Sequence, residues 1–145
     1  MKPDINIALL NAAQEIINRF SPLIEDEYEK SRLGSWGALI LISALKFNDA
    51  SSSLKKENHD IIEWLKEHST ISMKEFDKFK ILDDKTIDQY DQDNQNLREM
   101  LDKQFEAIQE KGDKILLKEG IDLMRSMHQR RKVSDLIGML QQQEG

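Results

Sequence analysis

Residues 36–47 read WGALILISALKF, and the fold turns on how this stretch is read. Apolar side chains point in nearly every direction around a helix here, and Lys46 is the only charge. A surface helix keeps one polar face, whereas a helix that is apolar all round is enclosed on all sides. The stretch is therefore expected to be a central, buried helix with the others packed about it. Its small residues Gly37, Ala38, Ser43 and Ala44 would let those neighbours approach closely.

Upstream, Asp4 caps an expected helix to Phe20, with Leu9, Ala13, Ile16, Ile17 and Phe20 recurring on one face. Ser21-Pro22 then reads as a cap followed by a first-turn proline, which restarts a helix in a new direction. Glu25, Asp26 and Glu27 fall in its first turns, where the helix dipole favours negative charge.

Downstream, Asn48 to Ser53 (NDASSS) reads as a polar, flexible linker and the best candidate hinge. Ser53 is expected to cap a helix to His68, with Leu54, Asn58, Ile61, Ile62 and Leu65 on one stripe. Ser72 and Glu75 match a capping box, and Ile71 can staple onto Phe76, which predicts a short helix from about Met73 to Leu82. Asp83-Asp84 opens the longest predicted helix, to about Lys111. Along it, Ile87, Tyr90, Asn94, Leu97, Leu101 and Ile108 form a narrow, heptad-like seam. Such a seam packs internally or, if exposed, across a dimer. Gly112 reads as a stop and Asp113 as the next cap. A helix follows to about Arg131, bent or split by Gly120, and a last short one from Val133 carries Leu136, Ile137, Met139 and Leu140. Residues 141–145 are expected to fray.

Composition agrees with an all-α chain. Six glycines and two prolines in 145 residues supply too little turn chemistry for a β-rich domain. The length suits one domain with one core. There are no cysteines, which removes disulfides, thiol nucleophiles and Cys-ligated zinc. The first ten residues have one lysine and no long apolar core, so no secretory signal is expected, and no apolar run approaches a membrane span. These features give the expectation of a cytoplasmic protein.

The net charge of −6 is unevenly placed. Between Asp83 and Glu110 nine acids face three bases, whereas from Lys111 onward seven bases face five acids. An acidic balance argues against broad nucleic-acid binding, which needs local positive charge. The one basic cluster is Arg125, Arg130, Arg131 and Lys132, at a helix C-terminus where cations are electrostatically favoured anyway.

Motifs that carry chemistry are weak. Asp91, Asp93 and Gln95 alternate as in a calcium loop, but Asn96 stands where the loop needs glycine and Asp102 where it needs a bidentate glutamate. His59 and Glu63 share a helix face, yet two ligands fall short of a zinc site. No glycine-rich phosphate loop is present. No catalytic residue, metal or cofactor is expected.

The sequence thus predicts a single-domain, all-α bundle of six to eight helices around residues 36–47. Its leading functional reading is a non-enzymatic interaction protein, such as an adaptor, accessory subunit or inhibitor. A basic protein partner would meet the acidic helical face of Asp88, Asp91, Asp93, Glu99, Asp102 and Glu106. Self-association as a homodimer is a further option. One alternative is a nucleic-acid-associated regulator working through Arg125, Arg130, Arg131 and Lys132. The other is a small helical enzyme or metal-binding protein.

Overall fold

A computed structural model describes residues 4–80 and 84–133. The chain is all-α, and no strand occurs among the described residues. The described residues form four α-helices: α1 (Ile5–Glu15), α2 (Glu27–His68), α3 (Ile87–Lys111) and α4 (Lys114–Arg131). Three short helical turns accompany them: a π-helical turn at Ile16–Phe20 and 3-10 turns at Ser21–Leu23 and Met73–Phe79. The contacts divide the chain into two compact units, one of residues up to Asp49 with the chain from Lys132 onward, the other Ala50–Arg131. The helix expected after Val133 and the fraying end lie outside the described residues.

In the first unit α1 widens into the π-helical turn, and Pro22 sits in the first turn of the 3-10 segment that follows. The Ser21 hydroxyl is buried and donates to the Lys30 carbonyl at 3.0 Å, tying this turn to α2. Asp26 accepts the Glu29 amide at 2.9 Å, and Glu27 and Glu29 occupy the first turn of α2, as the dipole favours. The helices meet closely at Gly37, where a Cβ would lie 2.6 Å from Ile17 Cγ1 and 3.0 Å from Ile16 Cγ2.

Two expectations about α2 are corrected. The 36–47 stretch is helical but not enclosed: only Gly37 and Ala44 are buried, while Trp36 is 57% and Leu39 56% exposed. Within the unit its described cover is α1 and the turns after it, and one helix can cover only one side of another. NDASSS is also not a loop, because α2 runs through it as part of one 42-residue helix. Asn, Asp and Ser cost only tenths of a kcal/mol each in a helix interior. Breaking and re-nucleating the helix costs more. The border between the units nevertheless falls inside this polar stretch, at Asp49–Ala50.

The second unit holds the main core. Ile61, Leu65, Leu97 and Leu101 are almost fully buried, with Ile62, Phe76, Phe79, Phe105, Ile108 and Met127 around them. Each such side chain contributes roughly 1.5–3 kcal/mol on burial. The α3 seam packs internally: Tyr90, Asn94, Leu97, Leu101, Phe105 and Ile108 are its buried residues. Its start lies later than Asp83-Asp84, at Thr86, which forms a full capping box with Gln89. The box expected at Ser72 does not form; Ser72 makes no side-chain cap and its segment is 3-10. Gly112, at φ 70°, ends α3, and Asp113 accepts the Leu116 amide at 3.0 Å to open α4.

Gly120 does not split α4, which runs unbroken from Lys114 to Arg131. It is buried, and a Cβ there would fall 2.0 Å from Phe105 Cε1 and 2.5 Å from Cζ. Gly120→Ala should therefore destabilise the protein by about 1–3 kcal/mol despite alanine's better helix propensity. Chemical denaturation checks this, and Phe105→Leu in the same chain should recover part of the loss.

Candidate functional site

The second unit encloses one carboxylate. Glu57, on α2, is 2% exposed and is the only buried charged residue among those described. Burying an ion without partners costs several kcal/mol, so its surroundings have to answer for it. Arg131, in the last turn of α4, forks onto it: Nε donates to Oε2 at 3.1 Å and Nη2 to Oε1 at 2.7 Å. Arg98 of α3 donates to Oε1 through Nε at 3.2 Å and Nη2 at 3.0 Å. Asn94, one turn before Arg98, adds its Nδ2 at 3.0 Å.

The asparagines close the network. Asn94 Nδ2 also donates to Asn58 Oδ1 at 2.8 Å, and its Oδ1 accepts from Arg131 Nη2 at 2.8 Å. Asn58 Nδ2 in turn donates to the Tyr90 carbonyl at 3.0 Å. Burial alone would raise the Glu57 carboxyl. Hydrogen bonds from Arg131, Asn94 and Arg98, together with the Arg131 charge, outweigh it and hold the group below the usual glutamate range.

A cleft of about 310 Å³ opens beside the two arginines, between α3 and α4. Arg98, Arg131, His128 and Asp102 supply its polar groups, and Leu101, Met124 and Met127 its apolar ones. Both guanidinium groups are already spoken for by Glu57, so the cleft has positioned donors but little net positive charge. Among the described residues that line it there is no serine, threonine, lysine or cysteine.

The sequence-predicted residues separate into groups. Asp88, Glu99, Asp102 and Glu106 are exposed on the side of α3 away from its buried seam. Asp91 is half-buried at the shoulder of that face, accepting from Gln95 at 2.8 Å. Asp93 is on the other flank, half-buried and paired with Lys85. The calcium-like alternation thus lies on a continuous helix, where neighbouring alternate positions diverge and do not surround one ion.

Three members of the basic cluster are engaged within the unit. Arg125 pairs with Asp122 at 2.9 Å, Arg130 with Asp60, and Arg131 with Glu57. Lys132 is exposed, just past the end of α4. Glu63 turns to Lys66, 2.8 Å away, whose hydrogen bond and charge lower its carboxyl, with His59 a weaker influence. Among the described residues no three His, Asp or Glu side chains converge as a metal site, and no helix is long and apolar enough to cross a membrane. No family model, curated protein or solved structure matches this chain.

Reading the sequence for motifs misses Glu57 and Arg98. The available signal was indirect: Asn58 and Asn94 interrupt the apolar stripes of two helices at core positions. A polar side chain in such a place needs a buried partner.

Two outcomes follow from this geometry. Glu57→Ala removes the acceptor shared by Asn94, Arg98 and Arg131; both guanidinium groups are half-exposed and can turn to water, so the second unit should lose about 1–3 kcal/mol in denaturant titrations. A carboxyl held low in the folded state contributes stability above its unfolded value. That contribution is lost as pH falls through the lower folded value. Acidification below about pH 4 should therefore weaken the wild type more steeply than Glu57→Gln, which has no proton to take up there.

Proposed function

We propose that the protein is a non-enzymatic helical interaction module that receives a basic protein partner on the outward face of α3. The observation that carries this reading is the state of four carboxylates. Asp88, Glu99, Asp102 and Glu106 recur on the solvent side of α3, and no cation among the described residues pairs with any of them. Other acids of the unit are neutralised, among them Glu57 by Arg98 and Arg131, Asp60 by Arg130, and Asp93 by Lys85. Arg98, Arg130, Arg131 and Lys85 are thus drawn into internal pairs, and the four α3 carboxylates keep their charge beside the exposed Lys103.

An exposed field of one sign steers an oppositely charged partner and quickens encounter more than it deepens affinity. The helices that carry it are held in register by the Glu57 network, so the charges are presented on a rigid support. Asp91, at the edge of the face, would join the contact. Asp93, paired with Lys85, would contribute less.

The test is capture of partners from the native host at low salt, compared with a chain carrying Glu99→Lys, Asp102→Lys and Glu106→Lys. A specific basic protein should be retained by the wild type, with association slowing about tenfold or more in the triple variant. A partner that binds both chains equally, or the absence of any specific partner, defeats this reading.

A further inference from the structure

Among the described residues of the first unit, nothing covers the outward stripe of α2. Gly37 and Ala44 mark the side of α2 that is buried. On the other side Tyr28, Arg32, Trp36, Leu39, Ser43 and Lys46 follow one another at steps of three and four, so they form one continuous stripe. Tyr28 is 73% exposed, Trp36 57% and Leu39 56%, with Phe47 at the flank. A groove of about 300 Å³ runs between Tyr28, Arg32, Ser35, Trp36 and Leu39. Aromatic side chains carry roughly 150–250 Å² each, so Tyr28, Trp36, Phe47 and Leu39 leave on the order of 500 Å² of apolar surface in water. Arg32, the serines and Lys46 bring the stripe towards the ~800 Å² per partner of a stable interface. Trp, Tyr and Arg are also the side chains that dominate binding energy when a partner covers them.

The sequence of the stripe is self-complementary in one direction. Place a two-fold axis between Trp36 and Leu39 and run a second α2 antiparallel to the first. Trp36 then opposes Leu39 of the other copy, Tyr28 opposes Phe47, and Arg32 opposes Ser43. At the ends, the acidic Glu29 meets Lys46. Run in parallel, the same helices would bring Glu29 against Glu29 and Lys46 against Lys46. The serines at 35 and 43 bond back to the Ser31 and Leu39 carbonyls, at 2.9 Å each, so they leave no hydroxyl donor for the contact to satisfy. We propose that this face of α2 is a homodimer interface, in which two copies pair antiparallel through Trp36, Leu39, Tyr28 and Phe47 and are oriented by Glu29–Lys46 ion pairs. An isologous contact of this kind closes on itself and gives a dimer, not a filament. The enclosure that an all-round apolar helix requires is then completed by a second copy of the chain.

Sedimentation of the full chain from micromolar to millimolar concentration tests this. The wild type should pass from monomer to dimer and stop there. Trp36→Glu should weaken dimerisation at least tenfold while leaving the circular dichroism spectrum unchanged. Glu29→Lys and Lys46→Glu should each weaken it when alone. An equimolar mixture of those two variants should form a heterodimer, since both ion pairs reappear only between unlike chains in the antiparallel arrangement. A wild type that stays monomeric throughout, or a dimer indifferent to Trp36→Glu, overturns the proposal. Single charge variants that dimerise no better when mixed overturn the antiparallel pairing. The α3 charge variants leave this equilibrium untouched, so the two interaction surfaces are tested separately.

Discussion

Glu57 sets the terms for the second unit. A carboxylate this deeply buried is stable only if its lone pairs are filled, and five N–H donors from Asn94, Arg98 and Arg131 fill them. Those donors come from two helices, α3 and α4, while the acceptor stands on a third, α2. Apolar contacts tolerate some sliding of one helix along another. A slide of one turn, about 5.4 Å, would leave the charge without its partners. The network therefore acts on register more than on net stability, because the desolvation of Glu57 and the water that still reaches both half-exposed guanidinium groups offset much of the attraction. The apolar core of Ile61, Leu65, Leu97 and Leu101 drives the packing, and Glu57 restricts it to one alignment.

The same pairing sorts charge between inside and outside. Arg98, Arg130 and Arg131 turn inward to Glu57 and Asp60, and Lys85 turns to Asp93. What looks along the chain like a basic tail after an acidic helix becomes, in space, a set of internal ion pairs with uncompensated carboxylates outside. The acidic face of α3 is thus partly a by-product of how the core ion is satisfied. This is why the site and the scaffold cannot be altered independently at Arg98 or Arg131.

The first unit obeys a different limit. Its described residues supply too few helices to surround α2: one side is buried, at Gly37 and Ala44, while Tyr28, Trp36 and Leu39 stay in water. An apolar residue in water is common, but a contiguous stripe of large ones rimmed by charge is the mark of a surface that another protein covers. The two units therefore offer two kinds of surface, one charged and one greasy, on a chain whose described residues show no cluster of metal-binding groups.

Local chemistry was legible from the residues in order. The helical class, the stop at Gly112, the cap at Asp113 and the inward side of the α3 seam follow from spacing and capping, which involve neighbours within a turn or two. Even the asparagines at positions 58 and 94 were visible as polar breaks in apolar stripes. The sequence misled where the outcome depended on distant partners. The 36–47 helix has the composition of a buried rod, but burial depends on how many helices are available to cover it. NDASSS has the composition of a loop, but a helix already nucleated on both sides carries through it. Glu57 resembles any surface glutamate, and only the convergence of residues 37 to 74 positions away makes it the centre of a core. Periodicity fixes which side of a helix is apolar; tertiary structure alone decides whether anything lies against that side, because contact is a property of two segments and a pattern belongs to one.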